Sequence, residues 1–173
     1  MSFLRKFVLY KKKSSLYFSL IYSNLVYCIE IYGSARLKYI KPLISKYNTV
    51  LRILQNKPRL YHNMFLYDNY ETLPVTSLNK YFILRLMHRF IYARKTLPAA
   101  VNELFKSGCD IHSYNTRSKF HFNLSFNKNS NSNLISHTGP SMWWKLPTSI
   151  RNISAFNTFS IQCKRYLFKS ACT

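Results

Sequence analysis

The chain has 173 residues and a very uneven charge: 26 Lys and Arg stand against 5 Asp and Glu, a formal net charge of +21. Hydrophobic residues make up 47% of the sequence, which supplies a core and excludes a disordered tail. Two-metal phosphoryl transfer needs two or three clustered carboxylates, and only Asp68 and Glu71 lie close together in sequence. We interpret Asp68 and Glu71 as part of a solvated loop. The few acidic residues of the sequence therefore argue against a catalytic metal centre.

The excess of cations favours a polyanionic partner, because so high a like charge repels itself in isolation. Nucleic acid is the first candidate and an anionic membrane surface is the second. A solvated basic surface with no partner is the alternative. Residues 1–57 carry 11 cations and one acid, residues 58–110 carry 7 cations and four acids, and residues 111–173 carry 8 cations and no acid. Both ends of the chain are therefore better suited to phosphate binding than the middle segment is.

Four cysteines lie far apart without the spacing of a disulfide framework: Cys28, Cys109, Cys163 and Cys172. We predict reduced thiols and an intracellular chain with no cleavable signal peptide. Cys109 and His112 have ligand-like spacing, but no second tight pair accompanies them, so we predict no metal site. Residues 16–32 are apolar but interrupted by Asn24 and Glu30, and a buried helix is expected there rather than a stable membrane insertion.

Helical spacing of apolar residues predicts four helices in the first part of the chain, at about 14–32, 38–57, 74–95 and 99–106. Gly33 is expected to cap the first helix and Pro58 to end the second. Pro74 suits the first turn of the third helix. Residues 58–73 are predicted as a loop with some local order.

The spacing of apolar residues changes in the next part of the chain. Apolar and polar residues alternate over 120–126, which predicts a strand, and Leu134 to His137 is expected to return as the second strand of a hairpin. Gly139-Pro140 is predicted to open a short helical turn that Pro147 ends. A last helix is expected from Ser154, as N-cap, to Phe168.

The predicted fold is mainly α: a helical bundle followed by a small α+β unit with one hairpin. Three regions result, a basic lead-in over 1–13, a helical region over 14–106 and a C-terminal α+β region over 107–173.

Cations interleaved with aromatic residues are the positive functional signal, because Lys and Arg neutralise phosphates and nearby rings can stack on unpaired bases. Aromatic residues on regular stripes are more typical of core. The candidate nucleic-acid-binding residues are Lys11, Lys12, Lys13, Lys41, Arg52, Arg85, Arg89, Arg117, Lys119, Lys164, Arg165 and Lys169.

Several stretches resemble one family in the same order along the chain. SLIYSNLVYCIEIYGSA (19–35) and LRILQNK (51–57) are similar to the segment after the palm in non-LTR retrotransposon reverse transcriptases, especially jockey-like elements. HSYNTRS (112–118) resembles a downstream motif of that family, and residues 139–168 resemble its Gly-Pro-x-x-Trp-x-x-Leu-Pro block and the helix after it. The family usually has Trp-Gly where this chain has Tyr32-Gly33.

The resemblance implies the thumb and post-thumb part of an RNA-directed DNA polymerase whose palm, with its catalytic Asp-Asp motif and Mg, lies upstream of everything seen here. The implied partners are RNA, DNA or an RNA–DNA hybrid, together with that palm, in the nucleus and in cytoplasmic ribonucleoprotein. No catalytic residue and no cofactor carries over to this chain. Two alternatives stay open: a functionless transposon relic, and a basic protein bound peripherally to anionic membrane.

Overall fold

The computed structural model describes residues 12–105 and 134–172, and the regular structure of these two ranges is helical throughout. The predicted mainly α fold is thereby confirmed. Residues 12–16 and the π-helical turns of Tyr17–Tyr22 lead into α1. The nine α-helices in the described ranges are α1 (Ser23–Val26), α2 (Ile29–Tyr32), α3 (Leu37–Gln55), α4 (Asn63–Asn69), α5 (Val75–Tyr92), α6 (Ala99–Leu104), α7 (Ile135–Lys145), α8 (Thr148–Arg151) and α9 (Phe156–Cys172).

Helix α5 lies at the centre of the fold, because α2, α7 and α9 all pack on it. It begins directly after Pro74, as predicted, and the Pro74 carbonyl accepts the first backbone bond from the Leu78 N–H at 2.8 Å. Its apolar residues are buried on more than one side, Leu78 and Leu84 as well as Met87 and Phe90. Helices from both sides of the boundary predicted near residue 107 therefore share one core.

The first predicted helix, over 14–32, is interrupted. Tyr27 is extended and Cys28 has a left-handed backbone with φ of 55°, so α1 and α2 are separate pieces. Leu25 and Ile29, on either side of the break, are both buried, and the Tyr32 hydroxyl spans the break by donating to the Leu25 carbonyl. The second piece ends at Gly33, as predicted.

Hydroxyl groups hold the start of the described chain to the core. The Tyr17 ring is fully buried, and its hydroxyl contacts the Tyr47 hydroxyl at 2.5 Å and donates to Thr72 Oγ1 at 2.9 Å. Beside them, the Tyr67 hydroxyl donates to Asn48 Oδ1. Because each of these polar groups is buried with a partner, the network adds specificity to an otherwise apolar contact.

The second strand of the predicted hairpin is not present. The return strand predicted for Leu134 to His137 is wrong, because these residues enter α7: the Leu134 carbonyl accepts from the backbone N–H groups of His137 and Thr138, each at 2.9 Å. Four residues are too few to reveal a period, and contact with α5 favours the helix. The first strand, over 120–126, lies outside the described residues.

Gly139-Pro140 was predicted to open a short helical turn. This prediction is wrong, because α7 begins at Ile135 and runs through both residues. A Cβ on Gly139 would lie 2.9 Å from Met87 Sδ, so the glycine is needed for close packing on α5. The loop predicted over 58–73 contains α4. The last helix begins at Phe156 rather than after Ser154 and continues to Cys172.

Candidate nucleic-acid interface

Two arginines of α5 stack on one aromatic ring of α9. The guanidinium carbons of Arg85 and Arg89 lie 5.0 Å and 4.6 Å from the centroid of the Phe156 ring. The spacing of four residues puts both arginines on one side of α5, as predicted, and Phe156 begins α9 beside them. A guanidinium that lies on a ring keeps its N–H edges free, so stacking fixes the cation without using its hydrogen-bonding capacity. We call Arg85, Arg89 and Phe156 the arginine–aromatic cluster.

The arginine–aromatic cluster is free of neighbouring acids along its own helices, since neither α5 nor α9 contains Asp or Glu. Arg85 is half-buried and also lies 5.3 Å from the rings of Tyr81 and Phe82. Its Nε is buried and has no hydrogen-bond partner within the described ranges. Arg89 is exposed. The cluster therefore presents positive charge that no carboxylate of these helices offsets.

Two hydrogen bonds from α5 hold the chain that leads into α9. His88 Nε2 lies 2.8 Å from the Ile153 carbonyl oxygen, and the Tyr92 hydroxyl donates to the Arg151 carbonyl at 2.7 Å. Burial lowers the pKa of His88, and the bond to Ile153 raises it only in part. Because a carbonyl can only accept, Nε2 carries the ring proton and His88 is a neutral donor at this contact. It positions the start of α9 and adds no charge.

Buried groups around Arg85 stay neutral. Burial raises the pKa of the Cys163 thiol to about 12, although Arg85 lowers it in part. Burial likewise raises the pKa of Tyr22 to about 12 against the same opposing influence of Arg85. Neither group supplies an anion at neutral pH, so Arg85 keeps its charge uncompensated by them.

Two further arginines repeat the stacked arrangement. Arg151 lies over the Trp144 ring at 4.8 Å, and Arg94 lies over the Phe90 ring at 4.7 Å. Neither arginine was among the sequence candidates. Arg151 and Trp144 lie on different helices, so helical spacing does not reveal that pair, whereas Arg94 lies four residues after Phe90 and this spacing could have indicated the contact. Trp144 lies inside the block that resembles the family, but Trp143 is the residue at the position of the family's Trp.

Lys41 and Arg52 of α3 differ from each other. Lys41 is exposed, whereas Arg52 is half-buried and donates to the Tyr61 carbonyl at 3.4 Å and to Asn63 Oδ1. Asn48, which lies between them on α3, is buried. Arg52 therefore holds the chain that leads into α4. At the start of the described chain, Lys12 is exposed and Lys13 is half-buried.

The cations of α9 lie opposite acids. A groove of about 710 Å³ between α4, the turn after it and α9 brings together Asp68, Glu71, Lys164, Arg165 and Lys169. Asp68 and Glu71 are exposed, and Glu71 has a left-handed backbone with φ of 47°. The acids, expected in a solvated loop, are exposed and line one groove with three of the predicted binding cations.

The predicted binding residues Lys11, Arg117 and Lys119 lie outside the described residues, as do Cys109 and His112, for which no metal site was predicted. Cys28 and Cys163 are free thiols. Within 12–105 and 134–172, no three His, Cys, Asp or Glu side chains come together in a group that could hold a metal ion. None of the helices in the same ranges combines the length and apolar character that a bilayer crossing requires.

Comparison with known proteins gave no counterpart: no protein-family model, no curated protein and no solved structure matches this chain.

Proposed function

We propose that this chain binds nucleic acid through its backbone phosphates, as the thumb-like and post-thumb part of an RNA-directed DNA polymerase of a mobile element. The arginine–aromatic cluster carries the proposal. It holds two guanidinium groups on one ring, on helices without acids, in a chain with a net charge of +21. The polymerase origin rests on the sequence resemblance alone.

The binding mode follows from the chemistry of the groups. Arginines held by stacking contact phosphate oxygens rather than reading base edges, so affinity should be tolerant of sequence and strongly dependent on salt. Phe156 is itself covered by the two guanidinium groups, so it acts as their support rather than as a platform for a base. The catalytic palm and its Mg stay part of the proposal for the longer polymerase.

The test compares two single substitutions on α5. Arg89→Gln and Lys80→Gln each remove one exposed cation from the same helix, but only Arg89 belongs to the arginine–aromatic cluster. With an RNA–DNA hybrid, Arg89→Gln should lower the slope of log affinity against log salt by about one unit, and Lys80→Gln should lower it less. Equal effects of the two changes would overturn the assignment of the cluster.

Melting curves of the same proteins test the alternative that the chain is a functionless relic. A relic whose helices no longer assemble should melt without a cooperative transition in circular dichroism, whereas a folded binder should melt cooperatively. Melting curves of the unchanged protein and both variants are therefore recorded before affinities are compared.

A peripheral membrane role is the second candidate, and one observation favours it. Three large apolar residues near the start of the described chain are exposed: Leu16 by 51%, Phe18 by 43% and Leu20 by 61%. Lys12 lies just before them, and apolar side chains next to lysine suit the surface of an anionic bilayer. Flotation with vesicles, with and without anionic lipid, tests it. Binding that Leu20→Ser does not weaken would contradict this role.

A further inference from the structure

Two exposed aromatic rings are joined through Arg151. The guanidinium carbon of Arg151 lies 4.8 Å from the centroid of the Trp144 ring, and its backbone carbonyl accepts a hydrogen bond of 2.7 Å from the Tyr92 hydroxyl. Despite these contacts, 40% of the surface of Trp144 and 43% of that of Tyr92 are exposed. Large aromatic rings at a surface bring apolar faces into water, and they are enriched where proteins bind partners.

The surroundings of these two rings are positive. Arg89 lines one cavity with Tyr92, Lys145 follows Trp144 directly in the sequence, and both cations are exposed. Neither the helices α5, α7, α8 and α9 nor the 3-10 turn Arg94–Thr96 contains Asp or Glu. A partner for this surface should therefore combine negative charge with flat apolar faces. We call Arg89, Tyr92, Trp144 and Arg151 the exposed-ring surface.

The cavity beside Tyr92 offers hydrogen-bonding groups of both kinds. The hydroxyls of Tyr92 and Thr96 donate their protons to the carbonyls of Arg151 and Ala93, at 2.7 Å and 2.8 Å, so each keeps only lone pairs for a ligand. Nδ1 of His88 is a further acceptor, buried and without a partner in the part of the chain described. Arg89 supplies donors. The cavity has a volume of about 340 Å³ and is lined by His88, Arg89, Tyr92, Ala93, Thr96, Ser154 and Phe156.

Donors and acceptors side by side suit the edge of a nucleobase better than a phosphate. A phosphate within a strand only accepts hydrogen bonds, so the acceptors of the cavity would oppose its oxygens. The edge of a base carries an amino group next to ring nitrogens or carbonyl oxygens. The amino group can donate to the hydroxyl of Tyr92 or Thr96, and the guanidinium of Arg89 can donate to the acceptor beside it.

We propose that the exposed-ring surface binds an unpaired nucleic-acid strand by stacking its bases on Tyr92 and Trp144; this deepens the proposed function and rests on it. The base on Tyr92 places its edge in the cavity, where it meets Arg89. Arg151 and Lys145 pair with phosphates of the same strand. Bases within a duplex are stacked on each other and paired, so their faces do not reach such rings, whereas an unpaired strand can turn its bases outward.

The experiment measures the affinity of the full chain for three probes of equal length by fluorescence anisotropy. The probes are an unpaired strand without self-complementarity, an abasic strand with the same sugars and phosphates, and an RNA–DNA hybrid. The unpaired strand should bind about tenfold more tightly than the abasic strand, because the two differ only in the bases available for stacking.

Matched variants locate the stacking. Trp144→Leu and Tyr92→Leu keep an apolar side chain but remove a ring, and each should weaken binding of the unpaired strand about five- to tenfold. Both should change affinity for the abasic strand and the hybrid by less than about twofold. Tyr92→Phe keeps the ring and should retain most of the affinity. Tyr39→Leu is the control, because Tyr39 is an exposed ring between Lys38 and Lys41 on α3, outside the exposed-ring surface.

Tryptophan emission gives a second measurement. The chain has two tryptophans, and only 5% of the surface of Trp143 is exposed. A base stacked on Trp144 should quench its emission, so the unpaired strand should quench the unchanged protein more than the abasic strand does. Trp144→Leu should remove this difference, and a melting curve for each variant shows that it folds.

The outcomes separate the two proposals. Equal affinity of the unchanged protein for the unpaired and abasic strands would overturn base stacking and leave nucleic-acid binding standing. A preference for the unpaired strand that survives both Trp144→Leu and Tyr92→Leu, or that Tyr39→Leu reduces as much, would overturn the location. Failure of all three probes to bind would overturn both proposals.

Discussion

The side-chain amide of Asn79 donates a hydrogen bond of 2.7 Å to the carbonyl oxygen of Ile29, which lies 50 positions away in the sequence. Asn79 is buried in α5, and Ile29 is the first residue of α2, directly after the left-handed Cys28. The same carbonyl accepts the Gly33 N–H at 2.9 Å. One oxygen therefore fixes both the short helix α2 and its place against the central helix.

Gly33→Ala should destabilise the protein because of this contact. A Cβ at that position would lie 2.5 Å from the Ile29 carbonyl oxygen and 2.6 Å from Asn79 Nδ2. The backbone at Gly33 is right-handed, so the cost comes from crowding rather than from conformation. We expect the free energy of unfolding, measured by urea denaturation, to fall by about 1–3 kcal/mol.

Gly139→Ala is the matched control for that change. Its Cβ would lie 2.9 Å from Met87 Sδ and 3.2 Å from a ring carbon of Phe105, and a methionine side chain adapts to crowding more readily than a backbone carbonyl does. The loss of stability should therefore be smaller than for Gly33→Ala. A larger loss at Gly139 would contradict the importance assigned to the Ile29 carbonyl.

His88 should make the stability depend on pH. Burial lowers its pKa from an ordinary value of 6.5, so the unfolded chain takes up a proton before the folded chain does as the pH falls. The free energy of unfolding should therefore decrease as the pH falls through about 6.5 towards the lower pKa of the folded state. Urea midpoints at about pH 7.5 and about pH 5 measure this decrease.

His88→Gln keeps a donor for the Ile153 carbonyl but cannot gain a proton, so it should flatten this pH dependence. His62 is an exposed histidine, and His62→Gln serves as the control. If both substitutions change the dependence equally, burial of His88 is not its cause.

Arg52 should stabilise the fold rather than contribute chiefly to binding. Arg52→Lys keeps the charge but loses the geometry of the bonds to Tyr61 and Asn63. We expect the free energy of unfolding to fall by about 1 kcal/mol, with unchanged affinity of the folded protein for nucleic acid. Lys41→Gln, at an exposed position on the same helix, should leave stability within about 0.5 kcal/mol.

Removal of the acids in the α9 groove should strengthen nucleic-acid binding. Asp68 and Glu71 line the same groove as Lys164, Arg165 and Lys169, and under the proposed function they would compete with phosphate for these cations. The double change Asp68→Asn and Glu71→Gln should raise affinity at low salt by about two- to fivefold, since exposed charges interact weakly. An anisotropy titration measures this. Each single change should raise the affinity more than Glu103→Gln does, since Glu103 is an exposed acid outside the groove.

The helices were largely predictable because their signals are local. Pro74 and the apolar stripe of α5 predict that helix, and the spacing of Arg85 and Arg89 predicts that they share a face. The return strand at Leu134 to His137 was wrong, since packing against α5 decides the structure of a stretch too short to show a period. The break at Cys28 has no local marker such as glycine or proline, so a continuous helix was predicted.

The candidate interface was only half predictable. The sequence shows where the cations lie, but whether a cation is stacked, bonded within the fold or opposed by acids depends on residues distant in sequence. Phe156 supports Arg85 and Arg89, Asn63 binds Arg52, and Asp68 faces the cations of α9. Three similar groups of cations on helices therefore have three different environments.

The tyrosine hydroxyl network limits how far the chain can be shortened. Tyr17 supplies a hydroxyl partner to Tyr47 and Thr72, both of which are buried. A shorter protein that began after Tyr22 would lose the buried Tyr17 ring and the partly buried Tyr22 ring, and it would expose the hydroxyls of Tyr47 and Thr72. In such a protein, water or a rearranged core would have to fill the space left by the Tyr17 ring. Domain boundaries drawn for expression should therefore keep the helical residues before α1, although they look like an extension to the bundle.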